Sequence, residues 1–175
     1  MISFGLVISI LVVFLALLTI YLGVKIVPQS KVFVIERFGR YNRTLNAGLS
    51  LIIPYLDSVA HRIDILERQL ESQRISVITR DNVEVELETS VFYRVIDASR
   101  SVYRISNIDQ ALTTETAAVV RSAAGKLELD ELQSSRDKMN AEIASTLSPS
   151  ADEWGINITR TCLLYTSPSP RDRSL

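Results

Sequence analysis

With 175 residues, a formal net charge of −1 and a single cysteine, the chain has room for an anchor plus one domain or two small ones, but for no disulfide framework or thiolate metal site. The near balance of basic and acidic residues excludes nucleic acid as the main partner, because a duplex is bound by a dense basic face. The charges are unevenly spread: Ile2 to Val24 carries none, and from Lys25 onward they recur every few residues.

A helix rising about 1.5 Å per residue over that uncharged stretch reaches roughly 35 Å, enough to cross a hydrocarbon core of about 30 Å. It is expected to anchor the chain in a membrane over residues 1–25, with Phe4, Leu11, Phe14, Leu18 and Tyr21 against lipid and Lys25 at the interface. A cleaved secretory signal would place basic residues before a short apolar run and end on small residues. Here only Met1 precedes a long run, and Tyr21 to Lys25 offers no such ending. A buried core helix is disfavoured because a small domain rarely buries a segment that is uncharged on every face. The span holds no ionisable residue to mark a pathway and no Gly-x-x-x-Gly face for helix pairing. After it come Lys25, Lys31, Arg37, Arg40 and Arg43, with Glu36 the only acid through Arg43. The positive-inside bias therefore predicts an amino terminus outside and the following domain in the cytoplasm.

Val32 to Ile35 is β-branched and aromatic and predicts a strand, followed by Gly39 at a turn or bulge. Asn46-Ala47-Gly48 is turn chemistry, and Leu49 to Leu56 is an apolar run stopped by Pro54. Leu51, Ile52, Ile53, Pro54 and Tyr55 have two readings, a dip into the membrane surface beside the anchor or a buried core strand. Further strands are predicted over 58–70 and 74–79. The clearest alternation begins at Val83 and runs through Glu84, Glu86, Glu88, Val91, Tyr93 and Val95, the pattern of a half-buried antiparallel strand with its acids in solvent. Asp81-Asn82 before it suits a tight hairpin.

Past Asp97 the period becomes helical, with Ile108, Ala111, Leu112, Val119, Val120, Ala123 and Leu127 at helical spacing and Asn107 or Asp109 as the cap at the start. A second helix is predicted from about Asp130 to Leu147, ended by Ser148-Pro149. Its charged residues Glu128, Glu131, Arg136, Asp137 and Lys138 are candidates for pairing across subunits, against the plainer reading of a solvated helix face. Trp154-Gly155 then turns the chain into a short strand over 156–159. The element order makes the part after the anchor α+β, with a strand-rich first half over 26–97 and a helical second half over 98–161.

Several landmarks resemble a known family in their order along the chain. Glu36-Arg37-Phe38-Gly39-Arg40-Tyr41, Gly48-Leu49 leading to Ile53-Pro54, Thr79 to Val83 and Tyr93 to Asp97 resemble the stomatin/prohibitin/flotillin superfamily, the SPFH or band 7 domain. Leu127 to Leu132, Arg136 to Asn140 and Trp154-Gly155-Ile156 are similar to its helical half. The match covers about residues 25–160 and is nearest in flavour to bacterial stomatin-like proteins of the paraslipin type. One departure is Ala47, where such proteins usually carry proline. The resemblance implies an oligomeric scaffold in a bacterial inner membrane without cofactor or chemistry of its own, organising lipid microdomains and modulating proteases, channels or transporters. It also implies a homo-oligomer, membrane lipid and a small membrane partner of the NfeD type as companions. A regulatory or catalytic subunit of a membrane protease is the alternative.

The residues give catalysis little support. His61 is the only histidine and sits beside Arg62 on a predicted strand, no serine lies in a Gly-x-Ser-x-Gly elbow, and no phosphate loop or metal spacing occurs. The stretch 162–175 lacks periodicity and resembles the translation of a sequencing-library adapter. It is expected to be a non-native, unfolded tail, with the true sequence ending near Thr161.

Overall fold

The structure is a computed structural model, and it describes residues 4–166. The chain divides into two compact units, Met1–Ile65 and Leu66–Leu175.

In the first unit, helix α1 (Phe4–Gly23) passes without a linker into strand β1 (Val24–Val27). There follow β2 (Lys31–Arg37), β3 (Arg40–Leu45), β4 (Gly48–Leu51) and β5 (Asp57–Asp64). β1 pairs antiparallel with β4, and β2 lies between β3 and β5 in a second antiparallel sheet. Val32 to Ile35 are all buried, as a central strand requires. Val27, Phe33, Ile35, Leu45 and Ile52 form the unit's core. Ile52 is thus the member of the apolar run that lies in the core, though it sits one residue past the end of β4 and not in a strand.

The second unit opens with β6 (Arg68–Gln69), β7 (Gln73–Ile78) and the long β8 (Glu84–Val95). Its helices are α2 (Ala98–Tyr103), α3 (Ile108–Ala124), α4 (Leu129–Ser134) and α5 (Arg136–Glu153), and it closes with β9 (Ile156–Thr166). β8 is the centre of the sheet, with β6 and β7 along one edge and β9 along the other. Its alternate residues Val85, Leu87, Thr89, Val91, Tyr93 and Val95 are buried, while Glu84 and Glu86 stand in solvent. Val85 and Leu87 pack with Val120 of α3 and with Met139, Ile143 and Leu147 of α5. Those contacts are why β6 to β8 belong to the helical unit. The compact units therefore divide at Ile65, whereas the sequence reading divides strands from helices at 97.

Local chemistry sets the element ends. Asp97 caps α2 by accepting from the Ser99 and Arg100 backbone N–H groups, and Asn107, not Asp109, caps α3 by accepting from Gln110 N–H. The β7–β8 turn places Asn82 at φ 62°, the left-handed conformation that asparagine tolerates. Two expectations are corrected here. The second helix is broken at Ser135 and its later part runs through Pro149 to Glu153. Pro149 removes the N–H that would bond the Ser145 carbonyl, but both residues are exposed, so water can serve that oxygen. The stretch 162–175 is also expected to be unfolded, yet Cys162, Leu163 and Leu164 pair with Ser90, Thr89 and Glu88. Leu163 is buried in the core between exposed neighbours, and the open edge of β8 supplies a backbone partner whatever the side chains are. Residues 167–175 of that expectation lie outside the described residues.

Gly155 is required where α5 turns into β9. Its φ is +73°, and an added Cβ would lie 2.6 Å from the Asp97 carbonyl oxygen and 2.8 Å from Arg100 Cβ. The Gly155 carbonyl also accepts from the Ile96 and Asp97 N–H groups, both at 2.9 Å. Gly155→Ala is expected to destabilise the fold by about 2 kcal/mol or more. Thermal unfolding of the detergent-solubilised chain measures this, and an unchanged midpoint would contradict the tight packing of this turn.

Candidate functional site

The features that bear on function gather at the end of the first unit from which α1 emerges. β1 leaves α1 and runs away from this end, while β4 and β2 run back toward it. Three segments therefore meet here: the α1–β1 junction, residues 52–56 between β4 and β5, and the β2–β3 turn. The Ile52 N–H donates to the Gly23 carbonyl at 2.8 Å, and a Cβ on Gly23 would lie 2.7 Å from the Ile52 carbonyl oxygen. Glycine is what lets the helix end seat against the β4 exit. Across the segment, Asp57 binds Arg37 at 2.7 Å and accepts the Ile53 N–H at 3.2 Å, so the strand that ends at Arg37 is tied to the apolar loop.

The side chains at this end are apolar and point outward. Leu51 is 65% exposed and Tyr55 69%, and Ile53 and Leu56 are exposed beside them, while Pro54 is half-buried. Val24, Ile26, Leu49 and Leu51 share one face of the β1–β4 ribbon, because Val24 pairs with Leu51 and Ile26 with Leu49. Phe38 adds to the rim. With Gly39 it makes a two-residue hairpin turn with φ of 51° and 75°, positive at both positions as a type I′ turn requires. A left-handed phenylalanine costs about 1–2 kcal/mol, and this residue is 80% exposed. The sequence reading places a turn or bulge at Gly39 but gives Phe38 no part in the surface. A bulky apolar residue at the first position of a two-residue turn was the available signal.

Along α1, Leu11, Phe14, Leu18 and Tyr21 are exposed, none of the helix core is covered by protein, and Gly5–Gly23 is long and apolar enough to cross a membrane. Phe4 begins the helix. The Thr19 hydroxyl donates to the Ala16 carbonyl at 2.8 Å, satisfying itself within the helix. Lys25 is half-buried on the ribbon face opposite Ile26.

The charged candidates at α4 and α5 are in the second unit, and they separate into two groups. Glu128 pairs with Arg80 of the β7–β8 turn, and the Glu131 carboxylate reaches back to the Glu128 N–H at 3.2 Å in a capping box. Both carboxylates are thus engaged within the chain. Arg136, Asp137 and Lys138 form the exposed first turn of α5. The same unit holds a polar cavity of about 440 Å³ lined by Arg68, Gln73, Tyr93 and Asp109 among others. Burial first, and then the Asp109 carboxylate that its hydroxyl binds, push the Tyr93 phenol up to about 12. That hydroxyl stays protonated and ties β8 to α3. Among the described residues, no group of three His, Cys, Asp or Glu side chains is placed to hold a metal ion.

The fold and the arrangement of landmarks agree with comparison to known proteins. Residues 25–170 match the SPFH domain / Band 7 family model. The chain is 33% identical to an uncharacterized protein of Mycobacterium tuberculosis over 95% of its own length and 44% of the relative. It is 30% identical to an uncharacterized protein of Methanothermobacter thermautotrophicus over 88% of its length and 48% of the relative. It is also 33% identical to the human protein named stomatin-like protein 2, mitochondrial, over 81% of its length and 39% of the relative. The chain belongs to the SPFH/band 7 family. It spans less than half the length of each of these relatives.

The Asp57–Arg37 pair that organises this end has a pH signature. The Arg37 guanidinium, followed by the Ile53 N–H, holds the Asp57 carboxyl below its ordinary value against the opposing effect of burial. A lowered folded-state value means that the pair stabilises the fold above about pH 4, the unfolded aspartate value, and that this contribution fades as pH falls toward the folded value. Asp57→Asn is expected to lower the thermal midpoint at neutral pH and to flatten its decline below about pH 4. Equal acid sensitivity in both proteins would show that Asp57 is not responsible.

Proposed function

We propose that this protein is a membrane-anchored scaffold subunit of the stomatin/prohibitin type. α1 spans a bacterial inner membrane, the amino terminus lies outside and the band 7 domain lies in the cytoplasm. The observation that carries this reading is the apolar rim of Leu51, Ile53, Tyr55, Leu56 and Phe38 at the very end of the first unit where the candidate span emerges. A soluble surface seldom collects so many large apolar side chains in one place, and a bilayer interface accepts aromatic residues well. With the rim in the headgroup region, the first unit rests on the membrane instead of hanging from it. Subunits held this way assemble side by side, with Arg136, Asp137 and Lys138 as contacts between copies. The assembly corrals lipid and modulates membrane proteins, including proteases and an NfeD-type partner, without catalysing a reaction itself.

Tyr55→Trp in a Trp154→Phe background tests the rim directly, since Trp154 is the chain's only tryptophan. In bilayers containing lipids brominated near the headgroup, fluorescence from position 55 is expected to be strongly quenched. Asn46→Trp in the same background is expected to escape, because Asn46 follows the far end of β3, a strand length of roughly 20 Å away. Equal quenching at the two positions would sink the membrane-surface reading. Orientation is checked by a carboxyl-terminal reporter, expected to be active in the cytoplasm; activity only on the other side would reverse the topology. In mild detergent the assembled form is expected to run as many subunits, and a clean monomer at micromolar concentration for the longer relatives would contradict assembly.

A further inference from the structure

We propose that the cavity beside the end of α1 is a specific site for the phosphodiester of a phospholipid headgroup, gripped by Lys25 and Arg62. This rests on the reading of α1 as a membrane span. The cavity measures about 320 Å³, at the small end of ligand sites, and its walls include Leu22, Lys25, Phe33, Pro54, Asp57 and Arg62. Leu22 belongs to the last turn of α1, so the cavity opens at the depth where a span meets headgroups.

The charges in it are unbalanced. Asp57 is the only acid among the wall residues, and one of its oxygens is held by Arg37 at 2.7 Å while the other accepts the Ile53 N–H. Among the described residues, neither Lys25 nor Arg62 makes a salt bridge. Arg62 instead lays its guanidinium over the Phe33 ring, 5.3 Å from the centroid. That contact holds the guanidinium by a ring and not by a carboxylate, and a guanidinium can make a forked contact with two phosphate oxygens. Lys25 lines the same cavity and supplies a point charge, at the position where a lysine just past a span reaches for the interface. Leu22, Phe33 and Pro54 make the remaining wall apolar, which suits the glycerol and upper acyl carbons attached to a lipid phosphate and does nothing for free inorganic phosphate.

The full chain, exchanged from nanodiscs containing phosphatidylglycerol and phosphatidylcholine into mild detergent, provides the test, with retained lipid counted by native mass spectrometry. One phosphatidylglycerol per chain is expected to remain, in preference to phosphatidylcholine, whose choline would meet two cations. Lys25→Gln/Arg62→Gln is expected to lower retention about tenfold or more, the loss of charged hydrogen bonds. Lys25→Arg/Arg62→Lys keeps both charges and should retain more lipid than the neutral pair. Equal retention in wild type and the neutral pair overturns the proposal. So does binding of inorganic phosphate, followed by phosphorus NMR, that depends on Lys25 and Arg62 when no lipid is retained. Near-UV circular dichroism monitors folding; if the double variant fails to fold, Arg62→Gln alone, a change at an exposed side chain, decides with the same expected direction. Quenching at position 55 separates the two readings: if it persists while lipid retention is equal, only the headgroup site fails.

Discussion

The first unit depends on the absence of any linker between α1 and the sheet. The helix ends at Gly23 and the strand begins at Val24, and the Gly23 carbonyl is at once taken by the Ile52 N–H. A helix end normally leaves carbonyls for water or a cap to satisfy. Here one of them is used to join the helix to the start of the apolar loop. The strand directions then leave no freedom about which end of the unit lies beside α1, and the Arg37–Asp57 pair fastens the β2–β3 turn to the same place. Rim and cavity both follow from this one junction.

The second unit is organised around β8. Its twelve residues alternate cleanly between core and solvent, and both of its edges are occupied. Only one face is apolar, so α3 and α5 cover that face and the acids Glu84 and Glu86 remain outside. The same strand explains why β9 extends as far as it does: a long central strand offers backbone donors and acceptors over most of its length, and the chain that follows Gly155 takes them up. The tie between Arg80 and Glu128 fixes the β7–β8 turn against the start of α4, and the Arg80 N–H adds a bond of 3.0 Å to the Leu127 carbonyl. Charge at that point therefore serves internal docking.

Membrane attachment in this architecture has parts of different physical kinds. The apolar length of α1 supplies a large, nonspecific hydrophobic term. In the proposed arrangement the exposed rim adds area at the interface, and a left-handed Phe38 placed outward is a local cost of about 1–2 kcal/mol that the fold retains. In the headgroup site proposed above, the two cations of the small cavity are what would choose among lipids, because charge and geometry discriminate where apolar contact does not.

Much of the chain was legible as sequence because the relevant signals are local. The uncharged run, the alternation through β8, the Asn107 cap and the family landmarks each depend on residues close together, and they determine the span, the α+β class and membership of the SPFH/band 7 family. Other features depended on distant partners. Pro149 looks like a stop until the exposed Ser145 carbonyl beneath it is seen, and the chain after Thr161 looks structureless until the open edge of β8 is beside it. Ile52 and Ile53 are adjacent and alike, yet Ile52 is 6% exposed in the core and Ile53 is 47% exposed on the rim. Glu128 reads as a free surface acid until Arg80, far away in sequence, meets it. By itself the sequence determined that the protein has a candidate span and a band 7 domain, because periodicity and composition are properties of neighbouring residues. Only the tertiary structure decided which apolar side chains face outward beside α1 and that Lys25 and Arg62 share a cavity, because burial and charge balance are set by residues the chain brings together from afar.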